Sequence, residues 1–264
     1  MDSKTNISIL FLGDIIGRPG RNIVKQYLNT LENKPDLIIA NIENVAHGFG
    51  ISASSLDELK AAGISVFTGG NHTFDRKEIF DFIDNEPYLL RPANYPDKTP
   101  GKGSCIASLS GIKVGIINLM GRELMKPLRS PFMVADEILA EFKEQTNIIF
   151  VDMHAELTAE KVAMGWYLNG KVSAIVGTHT HVQTADERIL PNGTAYITDV
   201  GCCGPINGVI GMDQKGAFKR MIDQLPAHLE VASGPAAVHG VKILISCQSG
   251  KAQKIERIRF CEEG

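Results

Sequence analysis

The sequence reads as an α/β protein in which a mixed sheet is layered with helices. Three features point there: short apolar runs alternate with stretches of helical spacing, some runs are joined directly by turn residues, and several runs end in ligand-type side chains. The alternation gives strand–helix units, and the direct joints give hairpins that make the sheet mixed.

Taken in order, Ile7–Leu12 is an apolar strand, and Val24, Tyr27, Leu28 and Leu31 behind it fall on one helical face. Leu37–Ala40 is a second strand, followed by a helix from near Ser54 that stops at Gly63. Ile64–Phe67 is a third strand and Lys77–Ile83 a short helix. Arg91–Gly103 carries three prolines and two glycines and reads as a long loop. Cys105–Leu109 and Val114–Leu119 flank Ser110-Gly111 as a hairpin. Ala135, Ile138, Leu139 and Phe142 mark a helix ahead of a strand at Ile148–Val151, and a helix over Thr158–Leu168 precedes a strand at Val172–Val176. Arg188–Leu190 and Ala195–Thr198 form a second hairpin around Pro191-Asn192-Gly193. A helix at Lys215–Leu225 and strands at Val241–Ser246 and Ile255–Phe260 complete the chain. With no repeat or low-complexity tract, the expectation is one domain over residues 1–264.

Composition excludes several classes. At 44% apolar and 22% charged the chain is neither disordered nor fibrous. Lys+Arg of 27 against Asp+Glu of 30 gives a net charge of -3, so no extended nucleic-acid surface is expected. No stretch approaches the roughly 20 apolar residues of a membrane span, and Ile7–Leu12 is too short for a signal sequence. Five cysteines without a Cys-x-x-Cys motif suit reduced thiols, which implies a cytoplasmic protein.

Five strands end alike. They lead into Gly13-Asp14, into Asn41-Ile42-Glu43-Asn44, into Gly69-Gly70-Asn71-His72, into Asp152-Met153-His154, and into Gly177-Thr178-His179-Thr180-His181. Each alone has an ordinary reading: Asp14 as a helix cap, Asn71-His72 as a turn, His154 as a core histidine. If the strands run parallel, however, carboxylates, carboxamides and four imidazoles converge on the edge where open α/β sheets bind ligands. Together they point to a metal site.

With these motifs, the chain resembles the calcineurin-like metallophosphoesterase superfamily, and within it the bacterial branch called the YmdB-like phosphodiesterases. The likeness runs from Ile9 to about Phe260 and also takes in Thr198-Asp199-Val200-Gly201, Gly204-Pro205 and Val209-Ile210-Gly211-Met212-Asp213. It implies a four-layer αββα sandwich of two mixed β-sheets flanked by helices, and a centre of two divalent metal ions. By resemblance, Asp14, Glu43 and His181 hold one ion, with Asn44 a further ligand or phosphate contact. Asn71, His154 and His179 hold the second, Glu43 bridges both, and His72 faces the phosphate as the catalytic acid. The wider superfamily's Asp-x-His has Ile16 in place of its histidine here, and its usual bridging Asp is Glu43.

Such a centre suits phosphodiester hydrolysis, in which paired ions neutralise the anion and ready a water for attack. Imidazoles with carboxylates and amides favour Fe or Mn, with Zn, Ni or Mg as other candidates. The implied activity is a metal-dependent phosphodiesterase acting on small diesters, above all 2′,3′-cyclic nucleotides. Alternatives are a nuclease acting on RNA ends and a nucleotide-binding regulator with little turnover. Arg18, Arg91, Lys98, Lys102 and Arg122 lie in or near loops within reach of a phosphate, yet each reads first as a solvated charge. No substrate-binding residue is assigned, a homo-oligomer is compatible with the chain, and the loop Gly201–Gly211 shapes either the pocket or an interface. A dinucleotide fold lacks its Gly-x-Gly-x-x-Gly spacing, and neither a P-loop nor a Gly-x-Ser-x-Gly elbow is present.

Overall fold

In the computed structural model, which describes residues 4–261, the two faces of strand β1 (Asn6–Leu12) belong to different layers. Ile7, Ile9 and Phe11 enter an apolar layer shared with Val114, Ile116, Phe150 and Val176 of the opposite sheet. Leu10 and Leu12 point the other way, toward helices. A strand buried on both faces needs no polar alternation, which is why the run is continuously apolar.

In the first sheet, β1 runs parallel to β3 (Leu37–Asn41), and β3 runs parallel to β4 (Val66–Thr68). On its other side β1 lies antiparallel to β12 (Ala236–Ser246), which also pairs with β13 (Ala252–Cys261) and β11 (Cys202–Pro205). The two-residue β2 (Asp14–Ile15) runs parallel to β11. The second sheet has the order β5 (Ser104–Leu109), β6 (Ile112–Met120), β7 (Ile149–His154), β8 (Ala174–Thr178), β10 (Ala195–Ile197), β9 (Arg188–Ile189). Its central strands β6, β7, β8 and β10 are parallel, and each outer pair is an antiparallel hairpin.

Helices α1 (Gly17–Thr30) and α2 (Ala53–Ala61) cover the first sheet, α1 through Ile23, Val24, Tyr27 and Leu28. Helices α3 (Pro131–Phe142) and α4 (Thr158–Tyr167) cover the second through Val134, Ile138 and Met164. The result is the four-layer αββα sandwich. Phe11 and Phe150 meet across its middle with ring centroids 5.2 Å apart.

One local expectation needs correction, one is sharpened, and two short strands went unread. The short helix at Lys77–Ile83 is of the 3₁₀ type, in two turns, Lys77–Asp81 and Ile83–Asn85; the tight turns bring Leu89 back to bridge Phe67. Helix α5 (Gln214–Met221) ends before Leu225, because Pro226 disfavours helical backbone at the residue before it and Gln224 turns to φ 55°. Strands β2 and β11 are too short and too rich in Gly and Cys to signal themselves.

Candidate metal centre

Parallel pairing carries three of the chain segments to one end of the first sheet and two to an end of the second, face-to-face packing of the sheets brings those ends together, and short-range chemistry then aims each side chain. Gly13 sits where a Cβ would come within 1.9 Å of the Gly201 carbonyl, so only glycine lets Asp14 pair beside Cys202. After β3, the Asn41 carboxamide accepts the Glu43 N–H at 3.1 Å, an Asx-type turn that lifts Glu43 off the strand line. After β4, Thr73 Oγ1 accepts the Gly70 N–H at 2.9 Å and donates to the Gly70 carbonyl at 2.8 Å, closing the turn that presents Asn71 and His72. A Cβ on Gly70 would lie 2.2 Å from His154 Nε2 and 2.5 Å from Glu43 Oε2, so that glycine leaves room for the cluster itself.

Alternate residues at a strand end diverge unless the backbone turns. Here it turns: His179 and His181 both have left-handed backbone, φ 95° and 66°. A buried ion pair pins the strained segment. Asp199 Oδ2 accepts from Lys161 Nζ (2.8 Å), from the Thr180 N–H (3.2 Å) and from Thr180 Oγ1 (2.7 Å).

The result is a convergence of lone pairs. His154 Nε2 lies 2.9 Å from Asn71 Oδ1, 3.1 Å from His179 Nδ1 and 3.1 Å from Glu43 Oε1. One N–H cannot serve three acceptors, and Glu43 Oε1 has no aligned donor despite the short distance. Asp14 Oδ1 and Asn44 Oδ1 are likewise buried without a partner, the Asn44 amide being spent on the Gly48 carbonyl at 2.8 Å. Asp14 Oδ1 stands 3.8 Å from His181 Nε2 and 3.9 Å from His154 Nδ1. Glu43, His154 and His179 offer ligand atoms all within 4.8 Å of one another. Buried acceptors gathered without donors are what a divalent cation satisfies, so the residues fit such an ion.

The charges agree. Burial works to lower the His154 pKa, but Glu43, Asp14 and Asp152 override it and push it up to about 9. Burial works to raise the Glu43 pKa, and His154 overrides it, pulling the carboxyl down to about 2. Burial and then His154 drive His179 down to about 3, keeping its ring neutral. Burial raises Asp14. A proton on His154 is thus the electrostatic stand-in for a cation, a job the same atoms give to a metal with neutral rings.

All seven expected ligands and His72 meet at this edge; among the described residues, His47, His228 and His239 stay outside the cluster. Sequence reasoning missed several partners. Asp75 Oδ2 lies 2.6 Å from His72 Nδ1. Glu156 Oε2 lies 2.9 Å from His179 Nε2. Asp152, buried beside Thr178 and Thr68, backs His154 through the Thr178 hydroxyl, and burial raises its pKa to about 7. Acidic residues three after His72 and two after His154 were the available signal.

Of the five cations, Arg18, Lys98, Lys102 and Arg122 are exposed, as their reading as solvated charges expects, and Arg91 alone needs correction. Arg91 is buried and donates to the carbonyls of Pro92, Ala93 and Thr99. None of the five expected cations lines the cleft above the cluster, where Arg220 is the one Lys or Arg. Val209 and Ile210 line it too, so the loop Gly201–Gly211 shapes the pocket. Ile16, where the wider superfamily has histidine, is fully buried against Met212 and Gly211 as the floor of that loop.

A family model described as YmdB-like protein matches residues 10–258, nearly the whole chain. The chain belongs to the YmdB-like family. This YmdB-like chain is 52% identical over 252 residues to the 2′,3′-cyclic-nucleotide 2′-phosphodiesterase of Bacillus subtilis, covering 95% of this chain and 96% of that one. Its fold matches the crystal structure of a novel phosphatase from Mycoplasma pneumoniae with a TM-score of 0.93 at 38% identity, over 99% and 95% of the two chains. A hypothetical protein from Thermus thermophilus matches with a TM-score of 0.92 at 36% identity, over 97% and 100%. No helix among the described residues of the YmdB-like chain is long and apolar enough to cross a membrane.

Proposed function

We propose that the chain is a phosphodiesterase, a single catalytic domain that hydrolyses 2′,3′-cyclic nucleotides with two divalent ions. The observation that carries this reading is the set of lone pairs around His154 Nε2, more than a single proton can satisfy, beside the His72 imidazole in the cleft lining. Asn71, His154 and His179 would hold one ion and Asp14, His181 and the Asn44 carboxamide oxygen the other, with Glu43 between them. Three imidazoles with carboxylates and amides favour Fe or Mn. When bound, the ions neutralise the diester and lower the pKa of the attacking water.

The chain's own residues supply the rest. Asp75 accepts the His72 Nδ1–H and so turns Nε2 into the cleft. As water attacks phosphorus and the bond to the 2′ oxygen breaks, His72 Nε2 delivers a proton to that oxygen, and a 3′-monophosphate leaves. Glu43 Oε2 accepts the His72 N–H at 2.8 Å, which fixes the distance between the acid and the cluster. The cleft, about 410 Å³ with one Arg in its lining, suits a small diester better than an RNA strand. Free cysteines, with burial raising Cys105 and Cys203 to about 12, fit the reducing cytoplasm.

The test is a panel of 2′,3′- and 3′,5′-cyclic nucleotides, bis-(p-nitrophenyl) phosphate and short RNA, run with defined metals on wild type and Glu43→Ala. Metal-dependent turnover of the 2′,3′-cyclic nucleotides that vanishes in the variant is expected. Turnover that survives the loss of Glu43, or a strong preference for RNA with steep salt dependence, overturns it.

A further inference from the structure

The cleft over the metal centre is lined by two unlike groups of side chains. One includes Glu43, Asn44, His72, His179 and His181; the other is mostly apolar, with Phe49, Val209, Ile210, Met221 and Leu229 and the single cation Arg220. Phe49 joins them, its ring edge against the His72 imidazole with centroids 4.8 Å apart.

The apolar lining is built at a conformational cost. Val209 and Met212 exchange backbone hydrogen bonds of 2.8 and 3.0 Å around a two-residue turn, and both central residues have positive φ: Ile210 at 46° and Gly211 at 89°. Such turns take Asn, Asp or Gly, and a β-branched residue is the least suited to left-handed backbone. Ile210 is not compensated by burial in the core, since its side chain is half exposed at the cleft. Its carbonyl lies 3.1 Å from His181 Nδ1, so the turn is registered to the metal edge. A strained residue that the fold does not need, presenting a bare hydrocarbon to a catalytic cleft, calls for a ligand.

We infer that the apolar lining is a subsite for the nucleobase of the substrate, with Ile210 and Met221 as specificity-determining residues. The inference rests on the proposed phosphodiesterase reading and names what the rest of the cleft recognises. In a 2′,3′-cyclic nucleotide the base sits on the carbon next to the one bearing the 2′ oxygen. A base whose 2′ oxygen faces His72 therefore lands within one ring's width of that histidine, where Phe49 begins the apolar wall. Burying the flat faces of a base against these side chains adds affinity that a base-free cyclic diester cannot gain.

The experiment compares 2′,3′-cyclic AMP with ethylene phosphate, a five-membered cyclic diester without a base, on wild type, Ile210→Asn and Met221→Asp. It also measures calorimetric binding of adenosine 3′-monophosphate and of inorganic phosphate to each protein. Each variant is expected to lower the ratio of kcat/KM values, cyclic AMP over ethylene phosphate, about tenfold, chiefly through KM. Ile210→Asn should melt no lower than wild type, because Asn relieves the turn. Wild type should bind adenosine 3′-monophosphate at least tenfold more tightly than phosphate. If both variants leave the ratio unchanged, or wild type binds the two anions equally, the subsite is refuted even though hydrolysis is real. If wild type hydrolyses neither diester yet prefers the nucleotide, and the variants lose that preference, the phosphodiesterase reading falls and the subsite stands.

Discussion

Around Glu43 the two proposed ligand sets are packed to different closeness. On the inner side three acceptors lie within 3.1 Å of His154 Nε2, and that ring is braced from behind by Thr178 and Asp152. On the outer side Asp14 Oδ1 stands 3.8 Å from His181 Nε2, and His181 is steadied by the Ile210 carbonyl of a surface turn. His154 of the inner set is therefore braced within the sheet, whereas His181 of the outer set leans on a loop that also lines the cleft, and Asp14 of that set lies on β2. Should both sets hold ions, the second would be the one coupled to the cleft wall.

The heaviest test removes what the two sets share. Glu43→Ala should abolish turnover by about 10⁴-fold, since several kcal/mol of charge stabilisation go at a tenfold cost per 1.36 kcal/mol. Elemental analysis should show both ions reduced; one ion kept at full occupancy would mean that Glu43 does not bridge. Next is His72→Ala, which removes the imidazole but keeps the backbone N–H on Glu43. It should cut kcat roughly 10³-fold and leave metal content unchanged. Loss of metal along with rate would move His72 from acid to ligand.

How much of this was legible in the sequence divides along the same line. Strand ends carrying Asp14, Glu43, Asn71-His72, His154 and His179-x-His181 are local patterns, and parallel pairing within each sheet, with the two sheets packed face to face, gathers them. What supports them is not local. Asp199 and Lys161 are 38 residues apart and brace the histidine turn only because β8 and β10 are neighbours. The apolar wall was hidden for a related reason. Ile210 looks like any aliphatic residue until its φ of 46° and its place over the cleft are known. Arg91 misled in the opposite sense, because a loop cation in sequence becomes a buried clamp on three carbonyls.

A smaller effect separates the two sets directly. Asp14→Asn removes a charge from a ligand of the outer set that also lies 3.9 Å from His154 Nδ1, and should weaken the ion of its own set about 10–100-fold and the other ion less. Metal titration followed by calorimetry should change from two events to one strong and one weakened event. Equal weakening of both would erase the distinction between the two sets.

Acid offers the gentlest test, because it attacks the centre before it attacks the fold. Imidazole ligands must be neutral to hold a metal, so protons compete with the metal as pH falls. The remote carboxylates behave differently. Burial opposes ionisation of Glu58, but hydrogen bonds and charge from Lys25 and Arg21 bring its pKa below the ordinary 4.5; Lys4 and Ser8 likewise lower Asp36. A carboxyl with a depressed folded pKa contributes stability in full above its unfolded value and loses it only as pH falls through the lower folded value. These pairs are partly exposed, so Glu58→Gln should cost under about 1 kcal/mol near neutrality. On acidification from neutrality the protein should therefore lose metal and activity while near-UV circular dichroism persists. Metal release and loss of tertiary signal at one common midpoint would instead make the centre a keystone of the fold, and the contrast between its two sides would lose its physical basis.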